Sequence, residues 1–516
     1  MASAPLNELC LATLTLSIVF LTILWYKFTP NIPHDQESRL PPGPRGLPIV
    51  GFLPFLRSNL HHQLTELSQH YGPIYKLWLG TKLCIVLNSP SLAKEVVRDQ
   101  DSIFANRDPP IAGLVGTYGG TDISFSPYGS YWRDMRKLFV REMLSNRNLE
   151  VCYSLRKHEV RKTIRNVHTK IGNPIDIGEL AFATEMNVIM SMIFGSNFVE
   201  EKCRKDGTEF RELVIKFLQV MGKPNISDFF PMLARFDLQG IQKEMAALLK
   251  SFESILEPAI NEHMKMLMDK SEEIQGNGKK DFMHILLELM EQKNIGKSAD
   301  LVQIKAILVD IVIGGTDTTI TTVEWVMAEL LNNPEIMSKV QHELKDVVGM
   351  NNIVEESNLS ELNYLDAVLK ETLRLHPALP LLLPKRPSQS AIVGGYTIPE
   401  GTKVLLNVYA IHRDPQVWES PLDFQPERFL NSTNLDYAGN NMKYLPFGSG
   451  RRVCAGLPLA EKMLMFILAS LLHSFDWKLP EGKKIDLSEG FGLVIKKKER
   501  LLAIPTLRLP HSELYQ

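Results

Sequence analysis

Residues 447–456 read "FGSGRRVCAG", a stretch in which a single cysteine stands among three glycines and two arginines. An isolated free cysteine is usually a small, buried and inert side chain. Here the apolar run "LPLAEKMLMFILASLLHSF" follows at residues 457–475 and predicts a helix. Cys454 would then lie beside a helix N-terminus, where backbone dipoles stabilise a thiolate. The decapeptide therefore predicts a functional cysteine whose partner must be sought elsewhere in the chain.

The composition of the 516-residue chain is that of an ordinary globular protein, with 44% hydrophobic and 22% charged residues. A net charge of −2 gives no support to nucleic acid as a partner. The cysteines are scattered and odd in number, so they predict neither a disulfide framework nor a CxxC metal site and indicate a reducing compartment. They are Cys10, Cys84, Cys152, Cys203 and Cys454.

The first thirty residues differ from the rest of the chain. Residues 9–26, "LCLATLTLSIVFLTILWY", carry no charge and just reach the length that spans a membrane. The alternative is a cleaved signal peptide, but the basic segment that should precede one is missing. Because Lys27, Arg39 and Arg45 follow the span, the positive-inside rule predicts a cytosolic C-terminal part. We expect an anchor over 1–30, a polar spacer and proline-rich hinge over 31–51, and a single domain over 52–516.

The pattern of the remaining chain predicts a mainly α domain with a small β part. Residues 73–88 predict two short strands around Gly80, and strand-like sequence returns at 391–407. Residues 301–331 predict a long, largely buried helix that ends at "NNP". The polar stretch "DKSEEIQGNGKKD", residues 269–281, predicts a surface loop.

The middle of the long helix contains "GGTDTTITT", residues 314–322. Glycines and β-branched threonines weaken a helix, so their presence in a core helix marks a candidate functional site. Gly314 and Gly315 would let a flat ligand lie against the backbone, and threonine hydroxyls can bond to carbonyls four residues earlier. Asp317 and Thr318 form an acid–alcohol pair beside this gap. Charged residues in the run exclude a transmembrane helix: Lys305, Asp310, Asp317 and Glu324.

Three shorter motifs bring charged groups together. "KETLRLHP" places Glu371 and Arg374 on one helix face, and "QPERF" adds Arg428, which suggests a fully paired cluster inside an apolar domain. "YWRDMRK" places Trp132 and Arg136 four residues apart, an arrangement that suits an anionic group such as a propionate. Taken singly, each motif is equally consistent with a solvated helix face.

Together and in this order, the motifs resemble the cytochrome P450 family of haem-thiolate monooxygenases. "FGSGRRVCAG" matches the pattern F-x-x-G-x-R-x-C-x-G at every fixed place, and the resemblance covers essentially the whole chain. More narrowly, "LPPGPRGLPIVG", "GPIYKLWLG" and "REMLS" resemble the plant group that includes cotton cadinene hydroxylase. The resemblance implies the cytochrome P450 fold, preceded by one transmembrane helix, with the haem-binding catalytic domain over 52–516.

The resemblance also implies roles for individual residues. Cys454 would ligate the iron of haem b as a thiolate. The other residues implied to contact the haem are Trp132, Arg136, Lys385, Phe447 and Arg452. The family usually has an arginine where Lys385 stands, and only one of Lys385 and Arg386 can face the haem from a strand, so this contact stays open. Asp317 and Thr318 would relay protons to dioxygen, and Glu371, Arg374 and Arg428 would form a structural cluster.

The implied reaction inserts one oxygen atom into a small hydrophobic substrate, with NADPH-derived electrons from NADPH–cytochrome P450 reductase at the endoplasmic reticulum membrane. The chain itself has no flavin or nicotinamide fingerprint. A sesquiterpene or related terpenoid is the favoured substrate, and a flavonoid or other phenolic is the alternative. A haem-thiolate isomerase or dehydratase and a non-catalytic haem protein are more remote alternatives. The predicted substrate pocket comprises Ile111, Leu114, Tyr118, Ile313, Gly314, Leu379, Leu382, Phe491 and Leu493.

Overall fold

The computed structural model describes residues 40–195, 204–268, 281–291, 301–430, 434–490 and 492–516, together with Thr13, Thr15 and Ser17. The predicted membrane span over 9–26 lies outside the described residues apart from these three, and so does nearly all of the predicted loop over 269–281.

The described part of the chain is mostly helical. Its N-terminal half contains α1 Leu60–Tyr71, α2 Pro90–Lys94, α3 Ile111–Gly116, α4 Ser130–Glu142, α5 Asn146–Val151, α6 Tyr153–His168, α7 Ile177–Phe194, α8 Arg204–Gly222, α9 Ile226–Phe229 and α10 Ile241–Met268. The remainder contains α11 Phe282–Glu291, α12 Leu301–Asn332, α13 Pro334–Val348, α14 Asn363–Leu375, α15 Val408–Ile411, α16 Glu427–Leu430 and α17 Leu457–Ser474.

The β part is small and is assembled from distant segments. Its strands are β1 Ile74–Leu79, β2 Lys82–Leu87, β3 Asn106–Arg107, β4 Ile175–Asp176, β5 Lys385–Arg386, β6 Ala391–Val393, β7 Tyr396–Ile398, β8 Lys403–Leu406, β9 Phe475–Lys478, β10 Glu489–Gly490, β11 Lys496–Lys497 and β12 Leu502–Leu507. The largest sheet has the order β1-β2-β8-β5-β3, in which β2 and β8 run parallel and the other pairs are antiparallel. The two strands predicted around Gly80 and those predicted over 391–407 are confirmed.

The core is organised around α12, which packs against α7, α14 and α17. The helix predicted over 301–331 is confirmed, and it ends where Pro334 opens α13, because proline is favoured at a first helical position. Among the described residues, α7, α12 and α17 are each long and apolar enough to cross a membrane by length and composition. Between 72% and 83% of each apolar window is buried inside the protein, so these are helices of the core.

The proline-rich hinge is not a free linker over its whole length. The N–H of Lys76 in β1 donates to the carbonyl of Pro42 at 2.8 Å, and the N–H of Phe52 donates to the carbonyl of Trp78 at 2.6 Å. At Gly51 the backbone has a φ of +62°, and a Cβ would lie 2.1 Å from the Trp78 carbonyl oxygen, so only glycine fits. The end of the hinge is therefore packed on the edge of the large sheet.

A hairpin near the C-terminus, residues 489–497, is bound at both ends to the helical core. The carboxylate of Glu489 lies 2.7 Å from His61 Nε2 and 2.8 Å from His62 Nε2 on α1. At the other end, the indole of Trp325 on α12 donates to the carbonyl of Ile495 at 2.9 Å. These contacts fix the tip of the hairpin against the interior of the domain.

Candidate active site

A cavity inside the domain is walled by α12, α4, α8 and the loop that precedes α17. The loop contributes Phe447 and Cys454, and α12 contributes Gly314, Asp317 and Thr318. The structure thus brings the cysteine motif and the acid–alcohol motif, about 140 residues apart in sequence, to one cavity, as a shared function predicts.

The cysteine loop is shaped by close backbone contacts. At Gly450 the φ is +69°, and a Cβ would lie 2.3 Å from the carbonyl oxygen of Val97, so a larger residue would displace the loop. The N–H of Cys454 donates to the carbonyl of Phe447 at 3.0 Å. The Cys454 side chain is open to the cavity although it lies deep within the protein.

Burial raises the pKa of the Cys454 thiol, and this effect outweighs the opposing N–H groups of Gly456 and Leu457 and the charge of Arg136. The amides at the start of α17 thus favour the thiolate, as the sequence predicts, but burial outweighs them. A coordinating metal ion deprotonates a thiol outright, so a thiolate at this position depends on its ligand.

Four cations face the same cavity: Lys385 and Arg452, which are buried, and Arg107 and Arg136, which are partly buried. Burial and mutual repulsion lower the pKa of Arg107 to about 10 and that of Arg452 to about 9. Burial, followed by the charge of Arg107, lowers the pKa of Lys385 to about 7. Lys385 is 4% exposed, and its Nζ has no hydrogen-bond partner among the described atoms. This wall fits a ligand with at least two negative charges, such as the paired propionates of haem.

Only one of Lys385 and Arg386 faces the cavity. Lys385 is buried and lines it, whereas Arg386 is exposed on the other face of β5. Sequence reasoning missed Arg107, which pairs with Lys385 in the antiparallel β3–β5 ladder. Its guanidinium donates to the carbonyls of Leu383 at 2.9 Å and Ser124 at 3.3 Å. The two-residue strand gave no periodic signal, so this neighbour could not be read from local sequence.

Trp132 occupies a different place from the one expected. Its indole N–H donates to the carbonyl of Ile123 at 2.9 Å, and the described cavity wall does not include it. Its ring lies 4.1 Å from the guanidinium of Arg452, which in turn donates to the same carbonyl at 3.1 Å. In this structure Trp132 supports Arg452 instead of presenting a donor to the cavity. Arg136 does face the cavity and donates to the carbonyl of Val453 at 2.7 Å.

The two glycines of α12 have different surroundings. A Cβ on Gly315 would lie 2.7 Å from Cδ1 of Ile189, so Gly315 permits the close packing of α7 on α12. A Cβ on Gly314 would meet no atom within 4 Å, and Gly314 opens onto the cavity. The predicted back-bonding is confirmed, since Thr318 Oγ1 donates to the carbonyl of Gly314 at 3.0 Å. Gly314 therefore leaves room for a ligand directly beside the Thr318 hydroxyl.

Of the predicted pocket residues, five line the cavity: Ile313, Gly314, Leu379, Leu382 and Leu493. Phe491 lies outside the described residues. Ile111, Leu114 and Tyr118 are not part of the described wall, which is a correction. The N–H of Ile111 is held by Asp228, and the Tyr118 hydroxyl donates to Glu253 at 3.0 Å, away from the cavity.

Helix α8 contributes an apolar part of the cavity wall that the sequence did not predict, made of Phe217, Leu218 and Met221. The ring of Phe217 would lie 2.6 Å from a Cβ on Gly116, so α3 and α8 are in tight contact at this point. The apolar run "VIKFLQVMG" was the available signal, but its periodicity does not tell a cavity face from a core face.

The predicted Glu371 cluster is confirmed as a contact set. Arg374 binds Glu371 through two hydrogen bonds of 2.7 and 2.8 Å, and Arg428 Nε donates to Glu371 at 3.0 Å. Arg374 and Glu371 are fully buried, and Arg374 also donates to the carbonyl of His412 at 2.8 Å. His412 Nε2 accepts from the N–H of Leu445, two residues before the cysteine loop. The cluster therefore braces the segment that carries Cys454.

A mainly helical domain with a cavity-facing cysteine and a cationic wall that fits haem propionates defines a haem-thiolate protein. The chain belongs to the cytochrome P450 family, whose model matches residues 41–504. It is 37% identical to a flavonoid 3′-monooxygenase of Crocosmia x crocosmiiflora, with 98% of each chain covered. It is 36% identical to geraniol 8-hydroxylase of Catharanthus roseus, with 96% of this chain and 99% of the relative covered.

Solved structures agree with this assignment. A zebrafish cytochrome P450 solved with progesterone superposes with a TM-score of 0.73 at 27% identity, covering 86% of this chain and 99% of that chain. The same kind of protein solved with abiraterone gives a TM-score of 0.72 at 26% identity, covering 87% and 99%. The protein is a cytochrome P450 monooxygenase, and its cofactor is thiolate-ligated haem b, with electrons from NADPH through a reductase.

Proposed function

We propose that the protein is a membrane-anchored monooxygenase that inserts one oxygen atom from O2 into a small hydrophobic substrate, namely a sesquiterpene or related terpenoid. The observation that carries this proposal is the largely apolar cavity beside both Cys454 and the Gly314–Thr318 segment. An apolar pocket with few polar groups suits such substrates. Residues 1–30 anchor the chain in the endoplasmic reticulum membrane with the catalytic domain in the cytosol. NADPH–cytochrome P450 reductase is the electron donor.

A phenolic substrate is the second candidate. The flavonoid 3′-monooxygenase and geraniol 8-hydroxylase cover the chain almost equally and have nearly the same identity to it. Similarity therefore supports a terpenoid and a flavonoid to the same degree. The intact Asp317–Thr318 pair favours a monooxygenase over an isomerase or dehydratase of the same fold.

Haem, when bound, supplies the activation of dioxygen for insertion into the substrate. In our assignment Cys454 would hold it by the sulfur, and Phe447 would shield that sulfur. Arg107, Arg136, Lys385 and Arg452 would bind its propionates, which would give the Lys385 ammonium the partner it lacks.

We assign the control of proton delivery to Asp317 and Thr318, which line the cavity from α12. The Thr318 hydroxyl donates to the Gly314 carbonyl, which leaves its oxygen lone pairs available to the cavity. Asp317 follows a different path, since its Oδ1 binds the ammonium of Lys496, whose side chain is 39% exposed. Asp317 is thus linked to solvent through Lys496 and precedes Thr318 in the chain, which suits a group that carries protons inward.

The test is reconstitution of the full chain with a cytochrome P450 reductase in membranes, followed by a screen of sesquiterpene hydrocarbons, sesquiterpene alcohols, monoterpene alcohols and flavonoids with NADPH. NADPH-dependent formation of a mono-oxygenated sesquiterpene is the expected result. The Cys454→Ser variant should lose both this product and the thiolate absorption band of the reduced carbonyl complex. Oxidation confined to flavonoids would reject the terpenoid assignment and leave the second candidate.

A further inference from the structure

Two carboxyl groups, the buried Asp122 and the partly buried Asp310, interrupt the apolar wall of the cavity. Asp310 is on α12, and Asp122 lies in the loop between α3 and α4. Ser124 Oγ donates to Asp310 Oδ1 at 2.5 Å, and the N–H of Ile123 donates to Asp310 Oδ2 at 3.2 Å. Asp122 Oδ1 accepts from the N–H of Phe125 at 3.1 Å. The loop is therefore held to α12 through a polar contact inside the cavity.

This contact leaves hydrogen-bonding capacity unused. Asp122 is 1% exposed, yet its Oδ2 has no hydrogen-bond partner among the described atoms. Within the described residues, neither Asp122 nor Asp310 has a cation within ion-pair distance. A buried carboxyl oxygen without a partner is costly, so the unpartnered Oδ2 of Asp122 beside the Asp310–Ser124 contact points to a polar ligand.

The electrostatic surroundings favour the protonated form of these carboxyls. Burial raises the pKa of both, and the charge of Asp310 raises the pKa of Asp122 further. Arg107 and Arg452 both interact electrostatically with Asp122, and so does Tyr131. A carboxyl that holds its proton offers both an O–H donor and an oxygen acceptor, which are the two functions that a hydroxyl group matches.

Asp310 lies on the same helix, α12, as the Gly314–Thr318 segment, where we place the reaction. Asp310 precedes Asp317 by seven residues, which is two helical turns and about 10 Å along the axis, on the same face. Ile313 and Gly314 lie between them and line the cavity. A group bound at Asp310 would therefore present a carbon several bonds away to the Gly314–Thr318 segment.

We propose that Asp310 and Ser124, supported by Asp122, bind a hydroxyl group of the substrate, so that the enzyme acts on alcohols or phenols in preference to compounds without a free hydroxyl. This inference rests on the proposed monooxygenase function and narrows its substrate class. Arg107 and Arg452 beside Asp122 disfavour an amine cation at the same place. A neutral hydroxyl is therefore the ligand that the site recognises.

The test compares ligand pairs that differ only in free O–H groups: geraniol with geranyl methyl ether, which lacks the single O–H group, and naringenin with its trimethyl ether, which lacks all three. Dissociation constants are measured on the purified holoenzyme from the substrate-induced shift of the haem spectrum. The wild type should bind the hydroxyl member of at least one pair about tenfold more tightly. Asp310→Leu and Ser124→Ala, which both remove the hydrogen-bonding group, should reduce this ratio to near one. Ser126→Ala, in the same loop but outside the cavity wall, should preserve it.

The quantity compared is the ratio of the two dissociation constants within a ligand pair. A variant that binds both members more weakly by the same factor leaves this ratio unchanged. A wild-type enzyme that prefers no hydroxyl ligand overturns the inference, and so does a preference that survives in both Asp310→Leu and Ser124→Ala. Tighter binding of geranylamine than of geraniol would overturn it as well, because the site would then recognise a cation. The assay needs neither reductase nor turnover. A failed hydroxyl preference with continued NADPH-dependent oxidation rejects this inference alone, whereas no oxidation of any substrate rejects the proposed function.

Discussion

Lys496 places its Nζ 2.5 Å from Oδ1 of Asp317, although 179 positions separate the two residues. The Asp317 side chain is 7% exposed, and its Oδ2 has no hydrogen-bond partner among the described atoms. The ammonium comes from β11, in the hairpin whose tip supplies Leu493 to the cavity wall. The acid of the α12 motif is therefore linked to the protein surface by a residue outside that motif.

Replacing Lys496 with Met should slow product formation several-fold and increase the solvent deuterium isotope effect on turnover. The ammonium stabilises the charge of Asp317 and connects it to solvent, so proton delivery should become slower without it. Lys498→Met, at an exposed position just beyond β11, is the matched control and should behave as the wild type. An unchanged isotope effect in Lys496→Met would show that the ion pair only fastens the hairpin.

Thr318→Ala and Asp317→Asn should fail in different ways. Without the Thr318 hydroxyl, NADPH consumption should continue but be diverted to hydrogen peroxide, because the hydrogen bond that controls proton delivery is lost. Asp317→Asn should slow the whole cycle, since the relay loses its ionisable member. Both variants should still bind substrate. The measurement is NADPH use, peroxide and product in parallel, and a fully coupled Thr318→Ala enzyme would reject the proposed relay.

Lys385→Met should weaken haem retention, whereas Arg386→Met should not. The two residues are adjacent, but only Lys385 is buried and faces the cavity. The unpartnered ammonium is the group that an anionic propionate would stabilise. The rate of haem transfer from each variant to excess apomyoglobin measures the difference. Equal rates for Lys385→Met and wild type would contradict the assignment of this residue to the haem.

Glu185→Gln should change the pH dependence of stability. Burial raises the pKa of Glu185 from 4.5 to about 8, and the charge of Arg156 opposes the shift only in part. Between these values the folded protein retains a proton that the unfolded chain releases, so wild-type stability falls as pH rises through this window, by at most about 1.4 kcal/mol per pH unit. The apparent midpoint of thermal inactivation should therefore fall less in Glu185→Gln than in wild type from about pH 5 to pH 8.

The matched control for that variant is Glu179→Gln, since Glu179 is exposed on the same helix α7. Its midpoint should follow the wild type at every pH. Parallel curves for wild type and Glu185→Gln would mean that Glu185 is ionised throughout the range.

Charge reversal on the exposed face of α4 should slow electron transfer. Arg133, Lys137 and Arg141 are exposed on this helix, while Arg136 of the same helix faces the cavity. An Arg133→Glu/Lys137→Glu variant should be reduced more slowly by the reductase at low ionic strength, with substrate affinity unchanged. Lys250→Glu, exposed on α10, serves as the control. Reduction at the wild-type rate at low salt would place the docking surface elsewhere.

Local sequence determined the helices, the cysteine loop and the α12 motif, because each depends on residues near one another in the chain. The glycine at 450, the helix that follows Cys454 and the threonine back-bonds of α12 are all encoded within a few positions. The family itself was recognisable from these motifs.

The composition of the cavity wall was decided only by tertiary structure. Arg107 joins Lys385 through a two-residue ladder, Lys496 reaches Asp317 from the C-terminal hairpin, and Ser124 meets Asp310 across 186 positions. Phe217, which no motif marked, lines the cavity from α8, where that helix packs closely on α3 at Gly116. Such contacts depend on how helices and strands pack against one another. A local sequence pattern does not indicate which residues far away in the chain will be in contact.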